Sequence, residues 1–116
     1  MNQRQQAHAL ISKYKKLYKE KYGVESNINS YSAQWGLIAA LGDLKYATLQ
    51  EVMDYYFTCD NNGHTIDNFL HKYTDLNRMR LAIIEDAIKR KKIMEETAER
   101  VKRMEERDGQ HSGEAN

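Results

Sequence analysis

Between Gln3 and Tyr22, apolar side chains recur at Ala7, Leu10, Ile11, Tyr14, Leu17, Tyr18 and Tyr22. Steps of three and four place them on one side of an α-helix. Lys13, Lys15, Lys16, Lys19 and Lys21 fall on the other side, and Gly23 stands where a left-handed residue would end the helix. After a polar loop over Val24–Asn29, Asn29 or Ser30 can cap a second helix. Its inward set is read as Tyr31, Trp35, Ile38, Ala39 and Leu41, with Trp35 as a core anchor and Gly42 as the stop. Asp43 to Ala47 is the connection that follows.

Thr48-Leu49-Gln50-Glu51 has the pattern of a capping box, and the helix it starts turns Leu49, Val52, Met53, Tyr56 and Phe57 inward. That helix ends in Asp60-Asn61-Asn62-Gly63, residue types that tolerate positive φ. Thr65 can cap a short fourth helix bearing Ile66, Phe69, Leu70 and Tyr73, and Thr74 or Asp75 can cap a fifth running from about Leu76 to Glu106. The fifth helix is apolar along one side at first, through Leu76, Met79, Ile83, Ile84, Ala87 and Ile88, and then thins into dense charge. Pairs such as Glu96–Arg100, Glu99–Arg103 and Glu99–Lys102 are spaced to support it in water. The pattern predicts an all-α protein: a compact four-helix domain over residues 1–90, a projecting charged helix over 91–108, and a tail at 109–116 without structure.

Composition supports this helical reading. The 116 residues contain no Pro and only six Gly, so few positions interrupt a helix. The net charge of +1 hides an uneven distribution: residues 1–30 carry +4, residues 31–80 carry −2, and the remainder −1. Cys59 is the only cysteine, expected to be buried, and cannot form an intramolecular disulfide. Together with the absence of an apolar leader or membrane-spanning run, this predicts a cytoplasmic protein with no membrane partner.

Chemistry is harder to find. Cys59, His64 and His71 have no fourth ligand nearby in sequence, so His64 reads as a hydrogen-bonding turn residue and no metal is expected. The Asp60–Gly63 turn lacks the later Glu of a calcium loop. Glu51 and Asp54 share one helical turn, but the capping role accounts for Glu51. No phosphate loop or nucleophile–base pattern is present, so the expectation is a non-enzyme without cofactor or small-molecule substrate.

Two surfaces remain as candidates. In the first helix Tyr18 is interleaved with Lys13, Lys15, Lys16 and Lys19, a combination that can neutralise phosphates and stack on bases. Lys89, Arg90, Lys91 and Lys92 could extend that patch. In the last helix, Ile83, Ala87, Arg90, Met94, Thr97, Val101 and Met104 form a stripe. Arg90 and Thr97 make it a poor seam for a tight homodimer, so Met94, Val101 and Met104 read as a docking surface for a larger protein.

KLYKEKYG (Lys16–Gly23), Trp35, EVMDYYF (Glu51–Phe57) and GHTIDNFLHKYTDL (Gly63–Leu76) occur in an order that resembles short proteins of large-genome tailed phages. Those proteins are assigned as accessory factors of late transcription or DNA replication, and the resemblance covers about residues 10–77. It implies a host-cytoplasmic accessory protein that binds RNA polymerase or replication proteins, with DNA as a further candidate partner. The alternative is an inhibitor or adaptor that acts on a host protein through protein–protein contact alone.

Overall fold

The computed structural model describes residues 1–60 and 63–115, with side chains described as far as Arg107. Among these residues there are four α-helices: α1 (Gln3–Tyr22), α2 (Ser30–Asp43), α3 (Tyr46–Thr58) and α4 (Ile66–Ala115). The chain divides into two units, Met1–Arg80 and Leu81–Asn116. Asn61 and Asn62 of the expected turn lie outside the described residues, and the tail 109–116 lies outside the described side chains.

The short fourth and long fifth helices expected from the sequence are one element. Thr74 and Asp75, the two alternative caps expected between them, both sit in the interior of α4. No Pro or Gly occurs between Ile66 and Asp108, so every residue can continue the backbone ladder, and a capping residue type does not by itself stop a helix. The cap of α3 also moves. Lys45 occupies the N-cap with no side-chain hydrogen bond, which places Thr48 inside the helix. Glu51, no longer a capping-box residue, instead accepts from Arg80 Nη1 at 2.9 Å.

Gly23 is the left-handed residue that closes α1, at φ +73° with its N–H bonded to Lys19 O at 2.8 Å. Gly42 stops nothing: α2 continues to Asp43 and ends on extended Leu44. Asn29 caps α2, accepting from the amides of Tyr31 and Ser32. Thr65 Oγ1 accepts from Asn68 N at 3.1 Å at the start of α4.

The core of the first unit takes Ala7, Leu10, Ile11 and Tyr14 from α1 and Leu49, Val52, Met53, Tyr56 and Phe57 from α3. Ile66, Phe69 and Leu76 come from the first turns of α4. On α2 the buried side is Ala33, Leu37 and Ala40, a different face from the one expected. Trp35 is 52% exposed and Tyr31 71%, so Trp35 is not the core anchor. This helix is apolar nearly all round, so periodicity cannot choose its inner face. Small residues decide it: Ala33 and Ala40 lie inside, and a methyl added at Gly36 would run into Leu70 of α4.

The connection into α4 is built around His64, 1% exposed and held at φ +43°, a region that favours glycine. Its backbone carbonyl accepts from Tyr14 Oη at 2.6 Å, and the next carbonyl, of Thr65, accepts from Tyr56 Oη at 2.8 Å. His64 Nε2 donates to Cys59 O at 2.7 Å. Because a carbonyl can only accept, that bond fixes the Nε2–H form in neutral imidazole, and Nδ1 is then free to accept from Tyr22 Oη. The ring also stacks on Phe57, with centroids 5.3 Å apart, and meets Tyr56 edge-on.

Burial, then neighbouring tyrosines, pushes the Tyr14 phenol above its ordinary range. Burial does the same to Tyr56, partly offset by the amide of Asn68. At the other end of the unit, Tyr73 donates to Asp43; that bond, with burial behind it, pushes the Tyr73 phenol up to about 12.

These placements separate two aromatic residues by role. Phe69→Ala should cost about 3–5 kcal/mol in chemical denaturation of the full chain. Trp35→Ala should cost less than about 1 kcal/mol. Equal losses for the two variants would return Trp35 to the core.

Candidate interaction surfaces

The basic face of α1 is real but partly neutralised. Lys13 Nζ lies 3.0 Å from Asp54 of α3, and its side chain is only 27% exposed. It therefore ties α1 to α3 and is not presented to a phosphate. Asp54 is engaged by that pair just as Glu51 is by Arg80, so the two carboxylates do not form an acid–base couple. Lys19 pairs with Glu25 at 3.0 Å on the surface, a contact that solvent and a competing anion weaken readily. Lys15, Lys16 and Lys21 are exposed and have no acidic partner within 4.0 Å among the described residues.

Tyr18, expected as a stacking platform, is half-buried between Tyr14 and Tyr22, with ring centroids 6.0 and 4.6 Å away. Its ring packs at a tilt against both neighbours. The aromatic contribution to a nucleic-acid surface is therefore smaller than the sequence suggests, and Lys15, Lys16 and Lys19 carry what remains.

Tyr18 and Tyr14 also border a cleft of about 430 Å³, together with Asn27, Asn29, Thr65 and Asp67. Asn29 and Thr65 spend their side-chain oxygens capping α2 and α4. Among the described residues, Asp67 is the only charged one in the lining.

Cys59, His64 and His71 do not converge. His64 Nε2 meets the Cys59 backbone carbonyl, not the thiol, and His71 Nδ1 bonds Asp67 O at 2.7 Å one turn back in α4. Cys59 itself is half-buried, not fully buried as expected. Among the described residues no group of three His, Cys, Asp or Glu side chains is placed to hold a metal.

In the second unit every side chain from Leu81 to Arg107 is exposed. Ile83, Ile84 and Ile88, expected on the apolar side of the helix within the 1–90 domain, are 55%, 42% and 63% exposed. Met94, Val101 and Met104 are exposed as well. Ala87, Arg90, Lys91, Met94, Glu95 and Ala98 border a shallow apolar hollow on this helix.

Lys89, Arg90, Lys91 and Lys92 do not make one basic face, because consecutive residues on an α-helix step about 100° around the axis. Two of the four are paired in addition: Lys89 with Glu85 at 3.4 Å and Arg90 with Asp86 at 3.0 Å. The expected pairs from Glu96 and Glu99 are not formed within 4.0 Å among the described residues; the pairs from Glu85 and Asp86 are.

The structure adds one surface that periodicity placed inside. Tyr31 and Trp35 stand exposed on α2, edge to face with centroids 6.2 Å apart. No helix of the described residues is long and apolar enough to cross a membrane. Comparison with protein families, characterised proteins and solved structures finds no match to this chain.

Replacing Lys15, Lys16 and Lys19 together by Glu should leave the melting temperature nearly unchanged, since surface changes cost little. If α1 contacts DNA, the same change should weaken binding by orders of magnitude in about 50 mM salt and flatten its salt dependence. Binding with an unaltered salt slope would move the contact away from α1.

Proposed function

We propose that the protein is a non-enzymatic accessory factor that works by binding other macromolecules, with the helical segment 81–107 as its docking element. The observation that carries this reading is the exposure of that whole segment, including its eight large apolar side chains Leu81, Ile83, Ile84, Ile88, Ile93, Met94, Val101 and Met104. Exposed apolar surface of this kind, bordered by charge, is characteristic of a contact surface. An amphipathic helix laid into a groove uses residues at the spacing of Met94, Val101 and Met104.

The partner class is the one the phage-like sequence features suggest: RNA polymerase or a replication protein, in the host cytoplasm. The carboxylates that could have formed an acid–base pair are each engaged by a cation, which favours a binding role over catalysis. A DNA contact through Lys15, Lys16 and Lys19 is the second reading, favoured by the exposure of these residues on one side of α1. Without that contact the protein would act as an adaptor or inhibitor through protein surfaces alone.

The test is direct binding of the full chain to purified RNA polymerase and to purified replisome components. Met94→Glu with Val101→Glu should reduce affinity by at least about tenfold, the effect of losing residues at the centre of an interface. Helical content should be retained, because neither side chain is buried in the free protein. Undiminished binding by this double variant would overturn the assignment of the docking element.

A further inference from the structure

We infer that the apolar stripe of residues 81–107 pairs with the same segment of a second copy, parallel and in register. This goes further than the docking role proposed above and rests on it, by naming a helix that fits the stripe. On a seven-residue repeat, Ala87, Met94 and Val101 occupy one seam position, and Ile83, Arg90, Thr97 and Met104 the other. All are exposed, so nothing in the second unit itself covers them.

The residues beside the seam identify the partner. In a parallel pair each residue that precedes the first seam position lies against the residue five places further along the other helix. For this segment the flanking pairs are Asp86 with Lys91, Ile93 with Ala98, and Arg100 with Glu105. Two are opposite charges, one is apolar, and none is a clash of like charge. Each occurs twice by symmetry, because an interface between identical copies uses the same patch on both. An antiparallel pairing about the middle of the stripe would keep neither charged pair.

Arg90 sets the strength. It occupies a seam position and would face its own counterpart, which weakens the pair. Its Nε is held 3.0 Å from Asp86 one turn back, which draws the guanidinium toward the flank where Lys91 of the other copy also needs that carboxylate. Thr97 adds a second polar layer. The pairing is therefore weak and reversible, and its weakness is attached to one named residue.

Sedimentation of the full chain from micromolar to millimolar concentration tests this. The parent should pass from monomer to dimer, and Val101→Glu should remain monomeric with unchanged helicity by circular dichroism. Arg90→Leu should lower the midpoint concentration by about tenfold or more, since it replaces a like-charge layer by buried apolar surface. Lys91→Glu should weaken association, and adding Asp86→Lys to it should restore most of the loss.

A parent and an Arg90→Leu variant that both stay monomeric would overturn the pairing. So would a dimer indifferent to Val101→Glu, or a charge swap that fails to restore association. Dimerisation with no binding to polymerase or replication proteins would instead overturn the accessory role and leave the pairing standing. Binding by a strictly monomeric chain would do the reverse.

Discussion

The first unit depends on a buried histidine. Two helix-borne tyrosine hydroxyls, of Tyr14 and Tyr56, donate to consecutive carbonyls at His64 and Thr65, and a third, of Tyr22, meets the imidazole itself. With Nε2 closing back on Cys59 O, the described part of the segment between α3 and α4 is held at four points, three of them from side chains of α1 or α3. A buried carbonyl left without a donor costs about 1–3 kcal/mol, so each of these bonds removes a penalty that the loop's position would otherwise create. The left-handed backbone at His64 is a conformation such contacts have to enforce, because its side chain makes the region unfavourable. Fixing this loop fixes where α4 begins, and hence where Ile66 and Phe69 enter the core beside Tyr56.

Around that point, polar side-chain ties join the helices in pairs. Lys13–Asp54 joins α1 to α3, Arg80–Glu51 joins α4 to α3, and Tyr73–Asp43 joins α4 to α2. Arg80 is mostly covered and is also the last residue of the first unit. Beyond it, burial ceases along a helix whose backbone continues without a break. The two halves of α4 thus serve different purposes: Ile66 to Arg80 completes a core, and Leu81 to Arg107 displays side chains.

Where the sequence was legible, one face of an element was clearly apolar and the other clearly charged. In α3 that contrast identified all five buried side chains, and in α1 it identified Ala7, Leu10, Ile11 and Tyr14. It failed on α2, where apolar residues surround the axis and the fit of Ala33, Gly36 and Ala40 against neighbouring side chains outweighed the size of Trp35. Caps misled in the same way at Thr48 and Thr74–Asp75, because a capping side chain is an option that the backbone takes only when it has to stop. The candidate surfaces were located by charge and spacing, but not their state. Periodicity does not reveal that Lys13 is paired across helices or that Tyr18 packs against Tyr14 and Tyr22. His64 was legible as a hydrogen-bonding turn residue, whereas its two tyrosine hydrogen-bond partners, Tyr14 and Tyr22, are 50 and 42 residues away in sequence.

The basic residues of α1 stand on a scaffold of residues 1–80 whose order is assigned to the His64 cluster. Thermal unfolding of the full chain carrying His64→Ala tests this most directly. The substitution opens a cavity beside Phe57 and Tyr56 and leaves Tyr22 and the Cys59 carbonyl without their partner, a combined loss of about 3 kcal/mol or more. A melting temperature lower by roughly 10 °C or more is the expected result for a unit of this size. A melting temperature within a few degrees of the parent would show that the fold does not depend on the histidine.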